Sequence, residues 1–273
     1  MRKFKDNFLY GLLWFSALLT VAILVIIVGY IIYKGYRLIS FDFIFGDYSP
    51  IGGGGIWPMV VTTLYTIFIS LLIATPIGIL AAVYLQEYAK QGRMVRIIRF
   101  ATESLTGIPS IIYGLFGAVF FVTTLKFGMS IIAASLTLTI IVLPVVIRTT
   151  EEALKTVPKS YREGSLALGT TKLQTLYKVI LPSAIPGILS GIILSIGRIV
   201  GESAAIFLTA GTVAAMPESI FSSARTLSVH SYLVTQEAGD IELASAVGIV
   251  LIVIILFLNF SATFISKKFN KSR

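Results

Sequence analysis

The 273-residue chain has no cysteine and one histidine, His230. Disulfides, thiolate metal sites, cysteine nucleophiles and histidine zinc clusters are therefore excluded. Charge is also scarce. Asp, Glu, Lys and Arg make up 13% of the residues, whereas a soluble domain carries about 25%. That excludes a disordered chain or a coiled coil and argues against a soluble enzyme. Several chemical signatures are missing as well. There is no G-x-x-x-x-G-K-[ST] run, no G-x-S-x-G elbow and no H-E-x-x-H helix, so the chain has no P-loop nucleotide site, serine-hydrolase turn or zincin site of its own. No cation-filter sequence is present either. If the chain moves a solute actively, the energy comes from a partner chain or an ion gradient.

What the chain has is apolar length. Hydrophobic residues are 56% of the total and the mean hydropathy is +0.92, which points to an all-α polytopic membrane protein. A helix crosses the bilayer core in about 20 residues. Six stretches qualify: residues 8–33, 59–85 with Pro76 inside, 105–125 with Pro109, 129–147 with Pro144, 179–208 with breaks near Pro182 and Pro186, and 243–265. The first follows Arg2, Lys3 and Lys5. It is too long for a signal-peptide core and has no small-residue cleavage site, so it reads as a retained anchor.

The net charge of +9 is explained by its distribution. With six spans, only Lys34, Arg37, Lys126 and Arg225 fall on the side opposite the N-terminus, and Arg198 lies inside the fifth span. Every other Lys and Arg is on the N-terminal side, which places both termini in the cytoplasm. The basic balance then needs no nucleic acid, and no loop resembles a base-stacking surface. No loop is long enough for a second soluble domain, so residues 1–273 form one transmembrane domain. Within the 52–57 stretch, the glycines form a flexible turn and Trp57 sits at the outer headgroup level.

Two segments carry chemistry. The first is residues 158–182, PKSYREGSLALGTTKLQTLYKVILP. Pro158 suits a helix start, with Ser160 as a cap. Gly169 suits a left-handed C-terminal cap, and Thr170 or Thr171 can cap a second helix carrying Leu173, Leu176 and Val179. Pro182 ends the unit. Such a pair of cytoplasmic helices can rest on the membrane interface or dock into a partner's groove.

The second is residues 197–205, GRIVGESAA. A charge in mid-bilayer costs several kcal/mol, about 2.5–3.5 on insertion scales. Arg198 and Glu202 are four apart, share a helix face and can neutralise each other. The pair can be purely structural. Alternatively, Arg198 offers its planar fork to a tetrahedral oxyanion while Glu202 holds or releases it. Gly197 and Gly201 keep that face thin, whereas Gly187 and Gly191 suit plain helix packing. Among the remaining candidates, Arg148 is either an ordinary positive-inside anchor or a second translocation residue. Residues 225–237 form an external interfacial helix in which His230 is a surface or packing residue. The Pro217 region is either a re-entrant bend or a loop.

Glu163, Gly169, Val179, Leu181 and Pro182 resemble, in type and spacing, the EAA motif of ABC importer permeases, although Gly164 and Ser165 stand where alanines are usual. The resemblance narrows further to the A-type permease subunits of the Pst phosphate importers. It is carried by Arg148-Thr-Thr-Glu-Glu-Ala, Tyr161-Arg-Glu, Ala167-Leu-Gly-Thr-Thr-Lys, Leu181-Pro-Ser-Ala-Ile-Pro-Gly and Gly197-Arg with Gly201-Glu-Ser. Upstream, Gly54-Gly-Ile-Trp-Pro, the 76–88 stretch and Gly107-Ile-Pro-Ser-Ile-Ile-Tyr-Gly match too. Two departures stand out: Thr62 replaces a glycine, and Ala205 replaces a proline, which is expected to make the fifth span more regular.

The resemblance implies a six-span, type I (MetI-like) permease that imports inorganic phosphate by alternating access. Sulfate, molybdate and phosphonate are the alternative cargoes, and an ATP-independent transporter is the alternative class. Arg198, Glu202, Ser203 and Arg148 would serve translocation. The 155–182 loop would couple to an ATPase through Glu163, Gly169, Leu181 and Pro182. The implied partners are a C-type (PstC-type) permease sibling, a PstB-type ATPase homodimer, an external PstS-type phosphate-binding protein and the lipid bilayer. ATP and Mg2+ would belong to the ATPase, with no cofactor or metal in this chain.

Overall fold

The computed structural model describes residues 2–49 and 54–271, with side chains over 7–49 and 54–264. The elements described are helical: α1 (Arg2–Gly35), α2 (Phe41–Phe45), α3 (Trp57–Val83), α4 (Arg93–Thr106), α5 (Ser110–Gly117), α6 (Ile131–Thr156), α7 (Lys159–Ala167), α8 (Lys172–Thr175), α9 (Leu181–Gly201), α10 (Ala204–Thr209), α11 (Leu227–Leu233) and α12 (Ile241–Lys271). Five segments are long and apolar enough to cross a membrane: Asn7–Leu38, Trp57–Tyr88, Ile131–Thr156, Lys172–Gly201 and Ile241–Phe264. A sixth is a bent pair, Arg93–Thr106 and Ser110–Thr124, turned by 98°. Among the described residues, six spans are reached when that bent pair is taken as one, and the third then differs from the expected one. It does not begin at residue 105, because Leu105 closes the amphipathic α4 and Pro109 stands at the corner with extended backbone (ψ 138°). Proline has no N–H to donate and disfavours helix in the residue before it, so the chain turns there.

Helix α1 is apolar on all sides and packs mainly along α12. Its described residues from Asn7 to Gly29 are exposed, which suits a helix surrounded by lipid or by another chain. The remaining helices form a bundle around three layers of core. The outer layer gathers Phe43, Ile56, Met59, Val60, Leu227 and Ala246. The middle layer joins α3, α5, α6, α9 and α10 through Ile67, Tyr113, Leu138, Ile199 and Ile206. The inner layer packs Val83, Leu154, Val157, Leu176 and Ile188.

Many hydroxyls inside this apolar bundle bond to backbone carbonyls, as a medium without water favours, while Ser135 Oγ and Thr150 Oγ1 are buried without a partner among the described residues. Thr62 donates to the Pro58 carbonyl (2.8 Å) and Thr66 to Thr62 (2.7 Å). Ser70 on α3 donates to the Ser135 carbonyl on α6 at 3.1 Å. Thr63 donates to Met59 at 2.7 Å and accepts the Leu227 N–H at 3.0 Å. Thr63, near the start of α3, therefore seats α11.

The fifth span breaks in a different place from the one expected. The helix runs through Pro182 and Pro186 without interruption from Lys172 to Gly201. A widened turn over Leu176–Ile180, in which Leu181 N–H bonds to the Leu176 carbonyl, makes room for the Pro182 ring. The break falls instead at Glu202 and Ser203, where the backbone extends (ψ 127° at Glu202) before α10 begins. Alanine at position 205 therefore does not make the span regular. The kink is held by packing. A Cβ on Gly114 of α5 would sit 2.8 Å from Ala205 Cα, and Ser130 N–H, at the start of α6, bonds to the Thr209 carbonyl at 2.9 Å. Helix α10 thus lies beside α5 and ends where α6 begins.

The external segment is also more ordered than an interfacial helix would be. Leu227, Val229, His230 and Leu233 of α11 are all buried, and 210–224 returns to the bundle through Ala224 N–H to Ala210 and Ile131 N–H to Ser222.

Candidate functional site

Two sites emerge, one at the helix break and one at the end of the bundle that carries α7 and α8. At the break, Arg198 is half-buried on the last turn of α9. Among the described residues it makes no hydrogen bond and no ion pair. It interacts electrostatically with Tyr113 on α5, whose hydroxyl donates to the Leu105 carbonyl at 2.7 Å. The expected Arg198–Glu202 pair is not formed, because the helix ends at Gly201 and Glu202 leaves its face. The Glu202 carboxylate accepts the Ala205 N–H at 3.2 Å and caps α10, while its carbonyl accepts from Ser228 Oγ at 2.6 Å. The freed polar groups of the break are satisfied this way, as broken membrane helices require. Ser203 is the residue preceding α10. It caps with its backbone rather than its hydroxyl, the carbonyl accepting from Phe207 N–H at 2.8 Å.

The glycines of α9 divide by face. A Cβ on Gly187 would collide with Ala153, and one on Gly191 with Thr149, both on α6. Gly197 and Gly201 meet nothing within 4 Å. Their face is open beside an unpaired guanidinium.

Arg148 is not brought to this point. Thr149 lies opposite Gly191, and Arg198 is seven residues further along α9, about 10 Å outward. Arg148 instead bonds Glu103 of α4 at 2.6 Å, with both side chains exposed. Beside them, Arg99 bonds the buried Glu151 at 3.0 Å. A cavity of about 140 Å³ between α4 and α6 is lined by these four residues and Lys155.

At that end of the bundle, α7 and α8 form a hairpin. Gly169 has φ +81° and closes α7 through its N–H to Leu166 at 2.9 Å. Its left-handed backbone, rather than lack of space, calls for glycine, since an added Cβ would touch nothing. Pro158, not Ser160, precedes the first turn; Ser160 lies inside α7 and forms no cap. Thr171 caps α8 in a reciprocal box with Gln174. Ser165, Thr170 and Thr175 close a hydroxyl triangle of 2.8, 2.9 and 3.0 Å across the hairpin. Glu163 is exposed. Tyr161, Leu166, Leu173 and Tyr177 are exposed too, and Leu168 keeps 87% of its surface open. Leu181 and Pro182 lie half-buried at the start of α9.

Sequence reading missed one contact set. Arg162 donates to the Glu87 carboxylate at 2.7 Å, to the Leu154 carbonyl at 2.9 Å and to the Val157 carbonyl at 3.0 Å. Glu87 ends the second span 75 positions away; no local pattern links the two. The outer side holds a further buried group. His230 accepts at Nδ1 from Arg225 at 3.2 Å and meets the Tyr48 ring edge-on at 5.7 Å. Burial, reinforced by the Arg225 charge, pushes its pKa down to about 4.

Comparison with known proteins completes the picture. The chain is 38% identical to the probable ABC transporter permease protein YqgI of Bacillus subtilis, over 96% of this chain and 95% of that one. It is 35% identical to the phosphate transport system permease protein PstA 1 of Mycobacterium tuberculosis, over 78% of this chain and 70% of that one. It is 36% identical to PstA of Pasteurella multocida, over 77% and 75%. Among solved structures, it resembles a chain of a bacterial alginate ABC transporter in complex with a pentasaccharide-bound periplasmic protein, with TM-score 0.69, 17% identity and 94% of both chains covered. It also resembles the inward-facing MetNI methionine ABC transporter, with TM-score 0.61, 22% identity, and 79% and 94% covered. Residues 74–271 match the family described as the binding-protein-dependent transport system inner membrane component, and with its multi-pass apolar helices the chain belongs to that family of ABC importer permeases.

Proposed function

We propose that this chain is the A-type permease subunit of an ATP-driven phosphate importer, with both termini in the cytoplasm. The observation that carries the reading is Arg198, an unpaired guanidinium at a helix break inside the membrane, on a face kept open by Gly197 and Gly201. An intramembrane cation without a protein partner is retained for what passes it, and a planar fork suits the tetrahedral oxyanion. The PstA names of several relatives support phosphate as the cargo. Glu202 and Ser203 shape the break, and Arg148 stands on the cytoplasmic side of it.

The energy enters from a separate ATPase homodimer. The exposed apolar hairpin around Leu168, with Glu163 beside it, is the surface that docks into the ATPase. Gly169 sets the turn, and Leu181 and Pro182 join the hairpin to the fifth span. Residues 155–182 thus act as the coupling loop of a single 1–273 transmembrane domain. A C-type sibling completes the path, and an external binding protein delivers phosphate. ATP and Mg2+ belong to the ATPase, and this chain itself needs no cofactor.

The test is uptake of labelled phosphate into proteoliposomes holding both permeases and the ATPase, with binding protein outside and ATP inside. ATP-dependent uptake that ignores excess sulfate and molybdate, and that falls about a hundredfold in Arg198→Ala, is the expected result. Uptake blocked by sulfate would change the cargo and keep the importer. Flux without ATP would overturn both.

A further inference from the structure

Arg162 is the most heavily committed side chain on the cytoplasmic face. One guanidinium spans three elements. It lies on the first turns of α7, its Nη2 bonds the Glu87 carboxylate at 2.7 Å, and Nη1 and Nη2 bond the Val157 and Leu154 carbonyls at 3.0 and 2.9 Å. The two carbonyls belong to the end of α6, where no helical N–H remains to take them. Glu87 belongs to the widened last turn of the span that α3 begins. The side chains of Arg162 and Glu87 keep only 22% and 11% of their surface open, so solvent screens the pair little and neither charge can leave its partner cheaply. A second contact lies beside it, with Lys172 Nζ 4.9 Å from the centre of the Tyr88 ring. None of the α7 residues is buried, so its hold on the bundle rests on polar contacts such as these and the Ser165–Thr175 hydroxyl bond at 3.0 Å.

We infer that the Glu87–Arg162 pair is the joint that makes the cytoplasmic hairpin and the inner ends of α3 and α6 move as one body. The inference rests on the reading of that hairpin as the ATPase-docking element. A push on α7 reaches α9 along the chain through α8 in any case. Reaching α3 from α7 itself requires a lateral connection, and Arg162 supplies a direct one, beside the apolar packing of Val83 with Leu176 and Ile180. It is a positioning residue, as is Glu87; neither touches the transported anion. A fork with three fixed acceptors resists rotation as well as separation, which a single lysine contact does not.

The natural absence of cysteine makes a distance measurement direct. Spin labels on Lys90→Cys and Lys159→Cys, both exposed in the native chain, flank the joint. In the full importer in proteoliposomes, their distance should stay the same between ATP-free and ATP-bound states. In Glu87→Gln the distance should shift or broaden with ATP, and phosphate imported per ATP hydrolysed should fall about tenfold while hydrolysis continues. Arg162→Lys, which keeps the charge and loses the fork, should give an intermediate ratio and serves if Glu87→Gln fails to assemble. A variant with a fixed distance and a native ratio of uptake to hydrolysis overturns the joint. So does a parallel loss of assembly, uptake and hydrolysis with the ratio unchanged, the mark of a merely structural pair. Absence of ATP-driven uptake in the unsubstituted importer would instead sink the coupling reading itself.

Discussion

Arg162 and Arg198 are the same side chain in two opposite conditions. Arg162, on the α7–α8 hairpin, has an acid and two carbonyls within 3.0 Å. Arg198, inside the membrane where desolvation costs more, has no hydrogen-bonding partner among the described residues. If stability alone governed placement, the assignment would be reversed, since the less hydrated position needs partners most. A satisfied arginine fixes geometry. An unsatisfied one leaves its donors open.

The comparison breaks most readily at Arg162. Replacing it with alanine strands the buried Glu87 charge and frees two helix-end carbonyls, and should cost about 3–5 kcal/mol of stability. The same change at Arg198 removes an unpaired cation and should leave the thermal midpoint in detergent unchanged or higher. Equal losses at both positions would erase the distinction.

A third arginine sharpens it. Arg225 is bound to a histidine that burial keeps neutral, with its pKa near 4 against an ordinary value near 6.5. The unfolded chain takes up this proton below about pH 6.5 and the folded chain does not until about pH 4. Stability should therefore be full above 6.5 and decline as pH falls through that window, by about 3 kcal/mol in all. Thermal melts from pH 7 to pH 4 check this, and His230→Gln should flatten the profile.

The smallest effect concerns the two faces of α9. Gly191→Val drives side-chain atoms into Thr149 and should lower stability by about 2 kcal/mol. Gly201→Ala, with nothing within 4 Å, should leave folding intact, gaining a few tenths of a kcal/mol from helix propensity. If Gly201→Ala also reduces uptake, the open face is the side along which the anion passes.

Much of this architecture is legible from residue patterns. Span positions, the left-handed Gly169, the Thr171 cap and the packing role of Gly187 and Gly191 all depend on local periodicity and local backbone geometry. The failures share a cause. Pro182 and Pro186 signal breaks, yet the helix passes through them because a widened turn absorbs Pro182. Glu202 sits four residues after Arg198, yet the helix ends between them, because Gly114, Ala205 and Ser130 hold α10 at another angle. Ser160 has a capping side chain, yet Pro158 fixes the helix start two residues earlier.

The sequence alone determined that this chain is a polytopic, all-helical membrane protein and that one short loop carries a glycine-hinged helix pair. Hydrophobic runs, charge counts and φ preferences act over a few neighbouring residues and need no fold to express them. Only the tertiary structure decided which charges are paired. Glu87 meets Arg162, and Glu151 meets Arg99, across 75 and 52 positions, and Glu202 turns away from Arg198 to cap α10. Ion pairing is decided within about 4 Å, and which side chains come that close depends on how the helices pack.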